Sequence, residues 1–237
     1  MTSTTLEDPL ANYAASARSA PPHHFGRRYD KSGAFLPEPG NTVVCHLVDS
    51  SASQAAVVEV RRRMQAMPDA SRLAFTPVSS LHMTLFQGII EYRRSLPFWP
   101  ADVALDTGID EMTRLYLDRL EGYRGAGPFR VQVVNVVPTG LTVIGATEED
   151  RRAMRAWRDA FAETFGYRHP DHDGYVFHVT LAYVIDWLDG DRLPAWRALF
   201  DDCLALLQRE APILELEPPA FCSFDDMNHF EPLRIFG

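Results

Sequence analysis

The chain is poor in lysine and carries an excess of negative charge. Lys31 is the only lysine among 237 residues, and the 32 acidic residues outnumber the 23 basic ones to give a net charge of −9. Binding along duplex DNA or long RNA depends on a basic surface that releases counterions. The composition therefore argues against a long duplex nucleic acid as partner and leaves a small phosphorylated substrate or a short RNA end.

Cysteines and long hydrophobic runs are also scarce. Cys45, Cys203 and Cys222 form no CxxC pair and are odd in number, so we expect no disulfide framework and a reducing cytoplasm. No apolar run approaches the roughly 20 residues that span a bilayer, so no membrane partner is expected. The N-terminus has no apolar signal segment. We predict a flexible tail over residues 1–24, one domain over residues 25–237, and a monomer.

A five-residue pattern occurs twice. Leu81–Leu85 reads LHMTL, and 96 positions later Phe177–Leu181 reads FHVTL. In each copy a histidine and a threonine are separated by one apolar residue and flanked by others, which is the alternation of a half-buried strand. Such a strand sends the histidine and the threonine to one face and the apolar residues to the other. Two of these strands would bring two imidazoles and two hydroxyls to a shared groove.

The segments that precede the two motifs have the same predicted order of elements. A predicted strand at Val43 and a helix precede His82 by 39 positions, and a predicted strand at Leu141 and a helix precede His178 by 37. The pattern predicts an α+β fold of two duplicated strand-helix-strand units around a central cleft, with lobes over residues 41–125 and 129–237. Further strands are predicted near the C-terminus, at residues 213–216, 220–224 and 233–236.

The paired residues suit the cleavage of a cyclic phosphodiester. One histidine can activate water and the other can protonate the departing oxygen, because the unperturbed imidazole pKa lies near 6.5. Thr84 and Thr180 can donate hydrogen bonds to the non-bridging phosphate oxygens. The scheme needs neither a metal nor a cofactor. The sequence leaves open which of His82 and His178 is the base.

The two motifs resemble the signature of the two-histidine (2H) phosphoesterase superfamily, which includes RNA 2′,3′-cyclic phosphodiesterases and the bacterial and archaeal enzymes first called RNA ligases. The resemblance implies a bilobal, duplicated α+β fold and metal-free hydrolysis of a cyclic phosphodiester on a nucleotide, a short RNA end or a small sugar phosphate. It also implies catalytic roles for the four motif residues, His82, Thr84, His178 and Thr180.

Residues 39–44 and 224–227 resemble a less characterised branch of that superfamily, found in bacteria and fungi. Four further residues are candidates for substrate binding: Phe86, Asn41, Tyr29 and Arg93. Phe86 shares the motif face if the strand stays regular, so it either stacks on a base or packs in the core. Arg93 follows the first motif strand and either reaches phosphate or is a solvated charge. Tyr29 and Asn41 line the groove if the lead-in segment folds back over it.

Other interpretations remain open at this point. A binding module could hold a phosphorylated metabolite or RNA terminus in the same cleft without turnover. Residues 169–173, HPDHD, gather metal-capable side chains, although no matching ligand cluster stands out elsewhere. We interpret this segment as a polar loop, His46 as a core histidine, and Tyr183, which has the opposite strand parity to His178, as structural.

Overall fold

A computed structural model describes residues 9–237, with four α-helices and nine β-strands in that range. The helices are α1 (Ala52–Gln65), α2 (Ile109–Arg119), α3 (Glu148–Phe165) and α4 (Leu193–Glu210). The strands are β1 (Gly40–His46), β2 (Leu73–Phe75), β3 (His82–Phe86), β4 (Val131–Val137), β5 (Gly140–Gly145), β6 (His178–Thr180), β7 (Ala182–Val184), β8 (Ala220–Phe224) and β9 (Glu231–Ile235).

Seven of the strands form one antiparallel sheet in the order β4-β5-β6-β3-β1-β8-β9. The remaining pair, β2 and β7, forms a small antiparallel sheet of its own. The two motif strands, β3 and β6, are neighbours near the middle of the large sheet. Residues 96 positions apart in sequence therefore lie side by side.

The helices all pack on one face of the large sheet. Alternate strand residues such as Cys45, Met83 and Val179 are fully buried in the same core as Phe161 of α3 and Trp196 of α4. Because successive strand residues face opposite sides, the intervening histidines and threonines of the motifs lie on the other face. Burial of the apolar residues against the helices thus directs the polar residues of the motifs into the cleft.

The ends of the helices follow local signals in the sequence. The Ser51 side chain caps α1 by accepting a hydrogen bond from the amide of Gln54. Thr147 and Asp150 form a reciprocal capping box at the start of α3, which satisfies two otherwise unpaired amides. Gly166 ends α3 in the left-handed region at φ 80°, a conformation that glycine adopts at little cost. The helix that precedes the second motif strand is thereby defined at both ends.

The prediction of a mixed helix-and-strand fold is confirmed by this large antiparallel sheet and four helices. Each predicted strand-helix-strand unit is present, as β1-α1-β3 and β5-α3-β6, while the duplication and the two-lobe division stay predictions. The predicted strand at residues 213–216 is wrong. That segment forms only two isolated bridges, from Leu214 to Val131 at the start of β4 and from Leu216 to Leu47 just after β1. It passes the ends of these two strands and therefore adds no strand to the sheet.

The predicted N-terminal tail is also wrong for residues 9–24, whereas residues 1–8 lie outside the described part of the chain. Pro9–Tyr13 forms a short 3₁₀ helix, and Leu10 and Ala14 are buried. The Ala15 amide donates a hydrogen bond of 2.8 Å to the Leu188 carbonyl. Apolar burial therefore holds this segment against the domain. Across residues 9–237 no helix has the length and apolar character required to cross a membrane.

Candidate active site

The pairing of the motif strands sets the geometry of the site. Met83 of β3 is the register partner of Val179 of β6 in an antiparallel pair. One residue away on each side, His82 therefore lies across from Thr180, and Thr84 lies across from His178. Each histidine thus faces the threonine of the other motif, and the two histidines form a diagonal pair with Cα atoms about 7–8 Å apart.

A backbone carbonyl sets the tautomer of each histidine. The Nδ1 atom of His82 lies 2.7 Å from the Ser80 carbonyl oxygen, and that of His178 lies 2.9 Å from the Val176 carbonyl oxygen. A carbonyl only accepts, so Nδ1 of each ring carries the hydrogen and donates it. Nε2 is then the nitrogen that accepts or donates a proton during a reaction. In both motifs the carbonyl belongs to the residue two positions before the histidine.

His82 lies in an apolar setting that opposes its protonation. The ring of Phe230 packs edge-on against it at a centroid distance of 4.2 Å, and the ring of His46 lies 5.9 Å away. Burial, reinforced by His46 and His178, lowers the pKa of His82 from 6.5 to about 3, although the hydrogen bond to Ser80 works against this shift. His82 is therefore neutral near pH 7, the state in which a general base starts.

All four motif residues line one pocket of about 170 Å³. Arginines and ring-bearing side chains complete much of its wall: Arg28, Arg93, His24, Tyr175, Tyr183 and Phe230. No aspartate or glutamate of the described chain lines this pocket, in a protein with 32 of them. The immediate surroundings of the motifs are thus free of carboxylates and suited to an anion.

The two arginines of the pocket differ in how they are held. Arg28 forms a bidentate ion pair with the fully buried Glu38, at 2.6 and 2.8 Å, and its Nη1 donates to the Tyr183 hydroxyl at 3.3 Å. Arg93 donates from Nη2 to the Gly88 carbonyl at 3.3 Å and stacks over Phe98 at 4.7 Å. The Nε atom of Arg93 is buried without a hydrogen-bond partner in the described chain. Arg93 also lines the pocket, so its guanidinium can contact a ligand there.

Three of the four predicted substrate-binding residues lie elsewhere than expected or have structural partners. Phe86 is fully buried and packs against Phe165 of α3 at 5.6 Å, so the prediction that it stacks on a base is wrong. A register shift in the β1–β3 pair interrupts the alternation and turns Phe86 to the helix side. Tyr29 is 1% exposed and stacks against Tyr183 at 5.4 Å, outside the lining of this pocket, and its role in substrate binding stays a prediction.

Asn41 lines the pocket, but its side-chain amide has protein partners. Its Nδ2 donates to the Thr113 hydroxyl at 3.1 Å, and its Oδ1 accepts from the Ile89 amide at 3.4 Å. The residue thus ties β1 to α2 and to the segment after β3. Its role in substrate binding stays a prediction, as does that of Arg93.

Tyr183 is a pocket residue that strand parity assigned to the wrong face. The chain breaks between β6 and β7 at Leu181, whose amide donates to the Thr139 carbonyl at 2.9 Å. The alternation restarts in β7, so Tyr183 lines the pocket. His24, Tyr175 and Phe230 lie in loops, where periodicity carries no information about orientation.

The histidines of the 169–173 loop have separate structural partners. His169 is 3% exposed and its Nε2 donates to the Gln87 carbonyl at 3.0 Å. His172 Nε2 lies 2.9 Å from Asp159 Oδ1 on α3. Within residues 9–237 no group of three or more metal-capable side chains converges. These contacts favour the polar-loop interpretation of the segment.

Comparison with known proteins adds two findings. A family model described as "2H-phosphodiest: Domain of unknown function (DUF1868)" matches residues 28–142, a range that includes the first motif. The crystal structure of a conserved protein of unknown function from Agrobacterium tumefaciens str. C58 is 50% identical to the chain. The similarity covers 96% of this chain and 98% of that one, with a TM-score of 0.95. No curated protein matches the chain.

Proposed function

Because the chain belongs to the 2H phosphoesterase superfamily, we propose that it is a metal-independent cyclic phosphodiesterase. Its substrate is a 2′,3′-cyclic or related cyclic phosphodiester on a nucleotide, a short RNA end or a small sugar phosphate. The observation that carries the proposal is the antiparallel pairing of the motif strands, which sets each histidine opposite the threonine of the other motif.

In the proposed reaction, His82 Nε2 removes a proton from water as the water oxygen attacks phosphorus. The bond from phosphorus to one ribose oxygen breaks, and the Nε2–H of protonated His178 donates its proton to that oxygen. The products are a phosphomonoester and a free hydroxyl. A diagonal separation of about 7–8 Å between the histidine Cα atoms leaves room for a phosphoryl group with water on one side and the leaving oxygen on the other.

The remaining pocket residues bind the phosphate. The hydroxyls of Thr84 and Thr180 donate to the non-bridging oxygens, where negative charge increases in the transition state. Arg93 lines the pocket and adds a positive charge there.

The environment of the two histidines supports this division of roles. His82 packs against Phe230 in an apolar setting that keeps its ring neutral before the reaction, which is the starting state of a base. The ring of His178 makes its carbonyl hydrogen bond in an exposed position, where water can solvate a charge. We therefore assign His82 as the base and His178 as the acid.

Two wider proposals accompany the function. The repeated order of strand, helix and motif strand supports an origin by internal duplication, with one motif from each copy. Cys45, Cys203 and Cys222 are all free and buried, which supports a reducing compartment such as the cytoplasm.

The decisive experiment is the hydrolysis of 2′,3′-cyclic AMP in the presence of EDTA. The wild type should form the phosphomonoester, and His82→Ala and His178→Ala should each lose about 10²–10⁴-fold in kcat. His229→Gln is the matched control, because His229 is exposed, pairs with Glu231 and lies outside the pocket. Activity that survives both alanine substitutions would refute the assignment. Saturable binding without product would instead favour a binding module.

A further inference from the structure

A second cleft lies beside the pocket of about 170 Å³ that the four motif residues line, which is the catalytic pocket of the proposed reaction. This outer cleft has a volume of about 720 Å³ and shares two wall residues, His24 and Tyr183, with the catalytic pocket. Its own lining includes Arg18 and Trp187. As in the catalytic pocket, no carboxylate of the described chain lines it. The two spaces therefore adjoin at His24 and Tyr183, and no carboxylate of the described chain lines either of them, on a protein whose net charge is −9.

The floor of the outer cleft continues the catalytic face of the sheet. Thr142 of β5 is the register partner of His178, and Asn135 of β4 is the register partner of Thr142. Register partners share a face, and neighbouring strands lie about 4.8 Å apart, so Asn135 lies about 10 Å from His178 across the sheet. One nucleotide unit bridges such a span. A substrate bound at His178 can therefore extend over Thr142 toward Asn135.

The wall of the outer cleft combines an aromatic ring with a positive charge. The Arg18 guanidinium lies over the Trp187 ring at 5.2 Å, and Trp187 is fixed by a hydrogen bond of 2.7 Å from Nε1 to the Ala20 carbonyl. Layered arginine and aromatic groups of this kind stack nucleobases. On the floor, the Thr142 hydroxyl and the Asn135 amide nitrogen have no partner among residues 9–237 and remain available to polar groups of a ligand.

The sizes of the two spaces indicate how a ligand divides between them. Pockets for small molecules typically measure about 300–1,000 Å³. The catalytic pocket, at about 170 Å³, is below this range, whereas the outer cleft, at about 720 Å³, is within it. The catalytic pocket thus suits the reacting end of a substrate, and the outer cleft suits the larger part that follows it.

We propose that the outer cleft binds a second nucleotide unit, attached on the 5′ side of the nucleotide that carries the cyclic phosphate, with its base stacked at Arg18 and Trp187. This inference rests on the proposed hydrolase function and narrows its substrate to a short oligonucleotide end. The unit must lie on the 5′ side, because the cyclic phosphate occupies the 2′ and 3′ oxygens.

The test compares 2′,3′-cyclic AMP with the dinucleotide ApA that ends in a 2′,3′-cyclic phosphate. Stacking of one base contributes about 1–3 kcal/mol, so kcat/KM of the wild type should be about 5- to 150-fold higher for the dinucleotide. Arg18→Gln and Trp187→Ala should each lower this ratio toward one. Because Arg18 is exposed, its substitution leaves the core intact. Arg155→Gln, an exposed arginine on α3, is the control and should keep the wild-type ratio.

Each outcome is informative. If the wild type hydrolyses both substrates equally well, the outer subsite is refuted and the hydrolase proposal stands. If it hydrolyses neither, both proposals fail. A third substrate, 2′,3′-cyclic AMP with a 5′-phosphate, separates charge from stacking. If that phosphate alone produces the full gain, a base-stacking subsite is refuted.

Discussion

The proposed roles of the two histidines predict different responses to a change of leaving group. Burial beside Phe230 lowers the pKa of His82 to about 3. At pH 7 His82 is then neutral, which is the starting state of a general base and not of a general acid. His178 is left to protonate the leaving oxygen. A substrate whose leaving group needs no proton should therefore tolerate the loss of His178 but not the loss of His82.

Methyl p-nitrophenyl phosphate provides this test, because p-nitrophenolate leaves without protonation. On 2′,3′-cyclic AMP we expect His82→Ala and His178→Ala each to lose about 10²–10⁴-fold in kcat. On the aryl diester we expect His82→Ala to lose as much, while His178→Ala stays within about tenfold of the wild type. Nitrophenolate release is followed by absorbance, with circular dichroism to check folding. Equal losses of His178→Ala on both substrates would refute its role as the acid, and the opposite pattern would exchange the two roles.

Two further predictions concern neighbouring residues. Arg93→Gln should raise KM for the cyclic phosphate about 10- to 100-fold in steady-state assays, since a charge-assisted hydrogen bond is lost; an unchanged KM would show that Arg93 does not bind phosphate. Burial lowers the pKa of His169 from 6.5 to about 4. The folded state thus binds fewer protons than the unfolded state between these values, and the free energy of unfolding falls with pH below 6.5. His169→Gln, which preserves a donor for the Gln87 carbonyl, should reduce that fall between pH 7 and 5 by about 2 kcal/mol in urea unfolding. Equal pH dependence in both proteins would contradict this reasoning.

Local patterns in the sequence predicted the elements of the fold well. The capping residues Ser51 and Thr147 mark the starts of α1 and α3, because capping is decided by side chains within four residues of the helix end. The alternation within each motif predicted which residues face the cleft. His82 and His178 both line the catalytic pocket with their threonines, as the alternation requires.

The alternation of side chains along a strand predicted the wrong face where the backbone departed from a regular strand. Phe86 was predicted on the motif face and lies in the core, after a register shift in the β1–β3 pair. Tyr183 was interpreted as structural and lines the pocket, after the break at Leu181. Both departures depend on which strands pair and on where the pairing stops. These are tertiary contacts, and side-chain periodicity within one segment contains no information about them.

Net charge was equally limited as a guide to the cleft. A value of −9 is a sum over the whole surface, whereas a ligand responds to the groups within a few ångströms. Glu38, which forms an ion pair with Arg28, is fully buried and lines neither the catalytic pocket nor the outer cleft. The arginines therefore face the catalytic pocket and the outer cleft without a competing acid on their walls.

The pairing of β3 with β6 means that neither half of the polypeptide contains the whole candidate site. Each histidine comes from one half and the threonine opposite it from the other, so a fragment ending before β4 and one beginning there would each hold two unmatched side chains. During synthesis, the site cannot assemble until β6 has emerged from the ribosome and docked against β3. The proposed activity would therefore appear only after the two halves have associated, and its onset would measure that association.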